Sequence, residues 1–191
     1  YDIKNGERPD IVSNKLYKSI NYHWTFGLVN PHLVDIRKDW PMSAEEIAIH
    51  TSEKYPGYCI IIRDIALATT FNIGESVQGL ASGALGIITE KDVNLGYIRV
   101  SVTSGSFQSG ELLYGSSTNQ YLTIDAVREF IYAPHHFELT DGTIVDRFVV
   151  GAQEITNYDY ELEKNDRNAR IRIIRPEYIQ QVANIFYDLV K

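Results

Sequence analysis

Apolar residues in the first third of the chain recur with helical spacing. Residues 1–4 predict a short strand, and Asn5-Gly6 is a turn signal. A helix then begins at Glu7-Arg8-Pro9, because proline is tolerated in the first helical turn. Its apolar stripe consists of Ile11, Val12, Leu16 and Ile20.

Two more helices are predicted before residue 57. The first holds Trp24, Leu28 and Val29 and is stopped by Asn30-Pro31. The second begins at the Ser43-Ala44-Glu45-Glu46 capping box and runs through about residue 54. Pro56-Gly57 ends it.

Residues 58–130 have the alternation and turn spacing of β-structure, and they contain an internal repeat. Residues 71–79 realign with residues 107–115 at an offset of 36, with matching Phe, Gly, Glu and Gly. A small polar turn and a strand-like run follow each copy. We therefore expect two hairpin-like halves of one small β-barrel or sandwich.

The pattern changes again after Pro134. Residues 136–145 predict a hairpin around Asp141-Gly142. Residues 157–168 are polar and charged, which predicts an exposed loop or arm, and residues 171–174 predict a strand. A final helix begins at Pro176-Glu177. Its apolar face is formed by Ile179, Val182, Ala183, Phe186, Leu189 and Val190.

The composition is that of a globular protein, with 44% hydrophobic and 23% charged residues. The net charge is −7, and residues 1–66, 67–134 and 135–191 each carry more acidic than basic groups. Nucleic acid is therefore an unfavoured partner, because phosphate backbones demand a basic excess. The 13 tyrosines suit surfaces that are buried against other proteins.

Single-residue and segment signals add few constraints. Cys59 is the only cysteine and lies in an apolar run, which favours a small buried side chain over a reactive thiol. The apolar runs are shorter than a membrane span, and no signal peptide is visible. Because the chain opens with Tyr1 rather than Met, we expect some N-terminal residues to be missing from it.

The sequence contains no recognised catalytic or metal-binding spacing. Its five histidines form no H-E-x-x-H pattern, and the adjacent His135 and His136 should point to opposite faces of a strand. Glu75 and Glu111 occupy equivalent repeat positions and would be the carboxylates of a hydrolase. The preferred interpretation is that each one faces solvent or satisfies a turn. We expect an inert protein without a metal or cofactor.

Several N-terminal motifs together resemble a known family. They are Arg8-Pro9-Asp10-Ile11-Val12, Lys15-Leu16-Tyr17, Trp24, Asn30-Pro31 and Asp39-Trp40-Pro41-Met42-Ser43. They are similar to the N-terminal module of the gene product 53 family, the baseplate wedge proteins of contractile-tailed (T-even-like) phages. The C-terminal segment with Tyr160, Asn165 and Arg170-Ile171-Arg172-Ile173-Ile174 resembles the ending of these proteins.

The same N-terminal segment also resembles a LysM domain. The matching residues are Tyr1-Asp2-Ile3-Lys4-Asn5-Gly6-Glu7 and Leu28-Val29-Asn30-Pro31. LysM modules bind N-acetylglucosamine polymers in a groove beside their first helix. Arg8-Pro9 departs from the usual entry to that helix, which argues against glycan binding here, and the family resemblance implies protein docking instead.

These observations predict an α+β protein in four segments. They are a LysM-like module (residues 1–57), a connecting strand (58–65), an inserted β-domain with the repeat (66–130), and a hairpin, polar arm and terminal helix (131–191). The family resemblance implies a virion subunit, assembled in the host cytoplasm, that joins neighbouring wedge proteins in a six-fold ring. The interface candidates are Arg8, Pro9, Tyr17, Trp40, Tyr160, Ile179 and Phe186. The alternatives are a peptidoglycan-binding LysM module of a lytic apparatus and a carboxylate hydrolase.

Overall fold

A computed structural model describes residues 1–190 and confirms a mixed α+β fold with helices at both ends. The chain forms two compact units. Unit 1 combines Tyr1–His50 with the chain from Glu161 onward, and unit 2 is Thr51–Tyr160.

The α-helices are α1 (Pro9–Tyr17), α2 (Thr25–Val29), α3 (Ile36–Asp39), α4 (Ala44–Lys54), α5 (Asn157–Ala169) and α6 (Ile179–Leu189). Short 3₁₀ turns lie at Ile20–Tyr22, Ile65–Ala68, Phe130–Tyr132 and Pro176–Tyr178. The strands are β1 (Tyr58–Ile61), β2 (Ser76–Gly79), β3 (Leu85–Asp92), β4 (Tyr97–Ser104), β5 (Leu112–Gly115), β6 (Gln120–Thr123), β7 (Ala126–Glu129), β8 (Pro134–Glu138), β9 (Ile144–Val145) and β10 (Gln153–Thr156).

Local capping signals set the helix starts of unit 1 as predicted. Pro9 occupies the first turn of α1, after an extended Arg8. At the start of α4, the Ser43 backbone N–H donates to Glu46 Oε2 (2.8 Å), and the Glu46 N–H donates to Ser43 Oγ (3.2 Å). This reciprocal pair is the predicted capping box.

The two strands predicted at residues 1–4 and 171–174 are wrong. The segments share one antiparallel bridge, between Asp2 and Arg170. At Arg172 the side chain of Asn30 takes the place of a neighbouring strand, accepting from the backbone N–H (2.8 Å) and donating to the carbonyl (2.9 Å). The pairing is therefore too short for a ladder, although both ends of the chain lie in one unit.

The core of unit 1 draws on both ends of the chain. Its buried residues are Ile3, Val12, Tyr17, Phe26, Leu33, Ile171 and Ile179. Only part of the apolar face predicted for α6 is covered, because Ile179 and Ala183 are buried while Leu189 remains 81% exposed.

Unit 2 is built on a curled seven-stranded antiparallel sheet, in the order β6-β5-β2-β3-β4-β1-β7. The two edge strands are joined by only Ile124 and Asp125. Three Cα steps span at most about 11 Å, whereas the edges of a flat seven-stranded sheet would lie roughly 29 Å apart. The sheet must therefore curl to bring its edges together, and it encloses a core that includes Phe71, Ile88 and Leu113.

A second sheet, β10-β8-β9, contains the predicted hairpin, with Phe137 opposite Val145 and Gly142 at φ +81°. The exposed loop or arm predicted for residues 157–168 is instead helix α5. Its less exposed face carries Asn157, Glu161, Asn165 and Asn168, so helical spacing is present in polar residues. A search for apolar periodicity does not detect such a helix.

Candidate functional site

A groove of about 790 Å³ lies beside the start of α1 in unit 1. One wall is the chain entering α1, with Arg8, Pro9 and Asp10. The remaining residues are Gly6, Glu7, His23, Ile36, Arg37, Lys38, Trp40, Pro41, Met42, Ser43 and Glu46. Three interface candidates from the sequence, Arg8, Pro9 and Trp40, thus line one cavity.

Trp40 is held in place on two sides. Its indole Nε1–H donates to the Glu7 carbonyl oxygen (2.6 Å), and its ring lies 5.7 Å from that of Phe26. Because the N–H is already used and the ring is packed, Trp40 offers a preorganised apolar wall.

Glu7 stabilises the segment that leads into α1. Its carboxylate accepts from the Tyr1 hydroxyl (2.8 Å) and the Lys4 backbone N–H (2.9 Å), and it pairs with the Lys15 ammonium. Burial acts to raise the pKa of this carboxyl, but the hydrogen bond from Lys15 and those from Lys4 and Tyr1 outweigh it and lower the pKa to about 2. Glu7 is therefore an ionised anchor and not a proton donor.

The accessible charges around the groove have both signs. Arg8, whose side chain is 75% exposed, lies 3.3 Å from Asp10. Arg37, Lys38 and Glu46 complete the set. Arg8 and Trp40 both line the groove, and arginine and tryptophan are residue types that are enriched at protein interfaces.

The other four candidates lie outside the groove lining. Tyr17 is buried and donates its hydroxyl to the Ile174 carbonyl (2.9 Å), and Ile179 is buried in the same core. Phe186 packs on Trp24, with ring centroids 4.4 Å apart. Tyr160, in unit 2, stacks on His135 at 3.8 Å.

Glu75 and Glu111 each accept hydrogen bonds from the turn that follows the other copy of the repeat. Glu75 accepts from the backbone N–H groups of Ser117 and Thr118 (2.9 and 2.8 Å), in the turn after the second copy. Glu111 accepts from Ala81 and Ser82 (3.0 and 2.9 Å), in the turn after the first copy. Both side chains are buried. The prediction that they satisfy turns is correct, and the alternative that they face solvent is wrong.

The environment of these carboxylates opposes acid catalysis. Burial acts to raise the pKa of each, but backbone hydrogen bonds outweigh it and hold both pKa values below the ordinary range. A Cβ at Gly79 would lie 2.6 Å from Glu111 Oε1, and a Cβ at Gly115 would lie 2.6 Å from Glu75 Oε1. The repeated glycines therefore make room for the carboxylate of the opposite copy, which explains the match found in the sequence.

The remaining reactive groups have local roles. Cys59 is buried as predicted, and burial raises the pKa of its thiol to about 11. The expectation that His135 and His136 point apart is wrong, since their Nδ1 atoms lie 2.9 Å from each other. Residues 1–190 contain no group of three or more His, Cys, Asp or Glu side chains arranged to hold a metal ion.

Comparison of the chain with protein-family models, with curated proteins and with solved structures finds no match. Over the described part of the chain, no helix combines the length and apolar character needed to cross a membrane.

Proposed function

We propose that this protein is a structural subunit of a phage tail baseplate wedge that joins neighbouring wedge proteins in a six-fold ring. The observation that carries the proposal is the groove beside α1. Arg8, Pro9 and Trp40 belong to motifs that resemble those of wedge proteins, and these three residues line the same cavity. Because these residues come from the motifs that resemble wedge proteins and lie on one surface, we favour an assembly function over a catalytic one.

We further propose that unit 1 is a LysM-like module. The helices α1 and α2 are preceded by residues 1–3, which lie antiparallel to residues 169–171: Ile3 N–H donates to the Ala169 carbonyl and Ile171 N–H to that of Tyr1. The return segment of the module would thus come from the C-terminal part of the chain. Unit 2, with its curled sheet, would be a small barrel inserted between the two parts.

A hydrolase is the weaker proposal. Its best carboxylates, Glu75 and Glu111, each accept hydrogen bonds on both oxygens from nearby N–H and O–H groups. An ionised carboxylate that is already bonded in this way is not available as an acid.

Peptidoglycan binding remains a second candidate, because the groove lies beside α1 and has an aromatic wall at Trp40. In LysM domains that position binds sugar. The charges of Arg8, Asp10, Arg37 and Lys38 can be matched by complementary charges on a protein but not by a neutral glycan, which favours a protein ligand.

Co-assembly with candidate wedge proteins tests the proposal. Wild-type chain, Arg8→Glu and Arg175→Glu are each mixed with these proteins, and complexes are imaged and their mass measured. Arg175 is exposed and lies outside the groove lining, so its variant is a charge-matched control. We expect Arg8→Glu to weaken assembly by about tenfold or more and Arg175→Glu to assemble like wild type. Equal assembly of the two variants, or tight binding of N-acetylglucosamine oligomers by the wild type, contradicts the proposal.

A further inference from the structure

The net charge of the chain is carried entirely by unit 2. Thirteen acidic and six basic residues lie in residues 51–160, whereas the rest of the chain has twelve of each. The net charge of −7 therefore belongs to unit 2, and positive charge on a partner favours its binding to that unit.

Unit 2 contains a pocket of about 300 Å³ with mainly apolar walls. The apolar residues of its lining are Ile61, at the end of β1, Leu95, Pro134, Phe137 and Phe148. This volume is at the lower limit of ligand pockets, the size suited to a single large side chain.

Arg147 lines this pocket and is held in place by backbone contacts. Its Nη1 donates to the carbonyls of Ile62 and Arg63 (3.2 Å each). Gly96 permits this close approach, because a Cβ there would lie 2.1 Å from Nη1. Nε is buried and has no acceptor among residues 1–190. The guanidinium carbon lies 4.3 Å from the centre of the Phe148 ring. Arg147 is therefore a fixed part of the pocket wall and its buried Nε–H is not open to a ligand.

The surroundings of Arg147 select against an anionic ligand. Four aspartates, at positions 64, 92, 125 and 146, already act on its charge. Glu154, which also lines the pocket, pairs with Arg128 and lies 3.9 Å from Arg63. The pocket lining also holds Arg63, so these charged groups are five acidic and three basic. Their sum of −2 disfavours a ligand carboxylate and favours basic residues beside the anchor.

An exposed apolar loop continues from the pocket. Phe148 lines the pocket and is 53% exposed. The next two residues, Val149 and Val150, are 43% and 96% exposed, and Ile144 on β9 is 70% exposed. Consecutive apolar side chains in water are typical of a surface that another protein covers.

We propose that this pocket and loop dock an extended segment of a partner protein. The segment inserts one leucine-sized side chain into the pocket and carries basic residues on both sides of the anchor. The proposal deepens the assembly function and rests on it for the identity of the partner as a protein. It concerns a surface in unit 2, separate from the groove beside α1.

The test is an NMR titration of the full isotope-labelled chain with blocked tripeptides. The probe is acetyl-Lys-Leu-Lys-amide, and the comparisons are acetyl-Lys-Ser-Lys-amide and acetyl-Glu-Leu-Glu-amide. We expect the Leu probe to shift the backbone amide signals of Leu95, Arg147 and Phe148. Replacing Leu with Ser should weaken binding about tenfold, because burial of the apolar side chain is lost. The Glu-flanked peptide should bind more weakly than the Lys-flanked one, with a difference that salt reduces.

A matched pair of variants keeps the result independent of folding. Val150→Ser removes an apolar side chain at the loop, and Val34→Ser removes an equally exposed one in unit 1, where Val34 is 90% exposed. We expect only Val150→Ser to weaken the Leu probe. Absence of shifts in wild type, equal binding of the Leu and Ser peptides, or equal effects of the two variants overturns the proposal. Failure here with intact co-assembly refutes this pocket alone, whereas peptide binding without co-assembly refutes the wedge function alone.

Discussion

Removing the negative charge from the reciprocal glutamates should destabilise unit 2. In Glu75, Oε1 accepts from Ser117, Thr118 N–H and Thr118 hydroxyl, while Oε2 accepts from the Asn72 N–H (2.8 Å). Glutamine replaces one acceptor oxygen with an NH₂ group. If its oxygen keeps the three donors, its NH₂ group meets the Asn72 N–H and leaves that donor unsatisfied.

The magnitude follows from these contacts. Losing one hydrogen bond to a charged group and leaving a buried donor unpaired costs about 3 kcal/mol for Glu75→Gln. The same reasoning applies to Glu111→Gln, so the double variant loses about 6 kcal/mol if the sites act independently. Since small domains have roughly 5–15 kcal/mol of stability in total, the double variant should approach unfolding of unit 2.

Two spectroscopic signals separate the units in urea denaturation. Both tryptophans, Trp24 and Trp40, belong to unit 1, so their fluorescence reports that unit, whereas far-ultraviolet dichroism also reports the β-strands of unit 2. We expect Glu75→Gln to lower the free energy of unfolding of unit 2, as measured from the dichroism transition. Glu129→Gln, at an exposed position, should change it by less than about 0.5 kcal/mol. A Glu75→Gln transition equal to that of Glu129→Gln would refute the reciprocal role of these carboxylates.

Three further predictions use the same denaturation assay. Gly115→Ala should lower the stability of unit 2 by about 1–3 kcal/mol, because its Cβ would lie 2.6 Å from the Glu75 carboxylate; an unchanged transition contradicts this. Glu7, whose pKa falls from 4.5 to about 2 on folding, contributes stability that is present above pH 4.5 and is lost as the pH falls through 2; that contribution is at most about 3 kcal/mol. The stability difference between wild type and Glu7→Gln should therefore shrink over this interval, and a constant difference would count against the ionised anchor. Asn30→Ala should lower the free energy of unfolding of unit 1, followed by tryptophan fluorescence, by about 2–3 kcal/mol, since both backbone groups of Arg172 lose a partner. The substitution Asn14→Ala, at an exposed position, is the control.

Signals confined to a few consecutive residues predicted their structures correctly. Pro9 at the start of α1, the Ser43–Glu46 capping box and the Asp141-Gly142 hairpin are all observed. Each depends on backbone preferences or hydrogen bonds that close within four residues, so no knowledge of tertiary contacts is needed.

Features that depend on distant contacts were not predicted. Helix α5 buries Glu161 where apolar residues are expected. The pairing of Asp2 with Arg170 joins residues 168 positions apart. The repeated positions of Glu75 and Glu111 are visible in the sequence. That each glutamate binds the turn of the other copy depends on the sheet order β5-β2-β3, which is set by contacts between distant segments.

The candidate site was predicted only in part. Arg8, Pro9 and Trp40 belong to motifs that resemble those of wedge proteins, and the fold brings them to one groove. Tyr17 and Ile179 are also interface candidates from the sequence but are buried in the core of unit 1. The pocket at Arg147 was missed, although an arginine followed by Phe148, Val149 and Val150 was a visible signal of an apolar loop with a cation.

The proposed wedge function is tested most directly by electron cryo-microscopy of contractile tails purified from the natural source of this chain. We predict density for the fold of unit 1 and unit 2 in every wedge of the baseplate, with Arg8, Pro9 and Trp40 covered by another protein. A baseplate that lacks this density, or one in which the groove beside α1 faces solvent in all copies, would contradict the account.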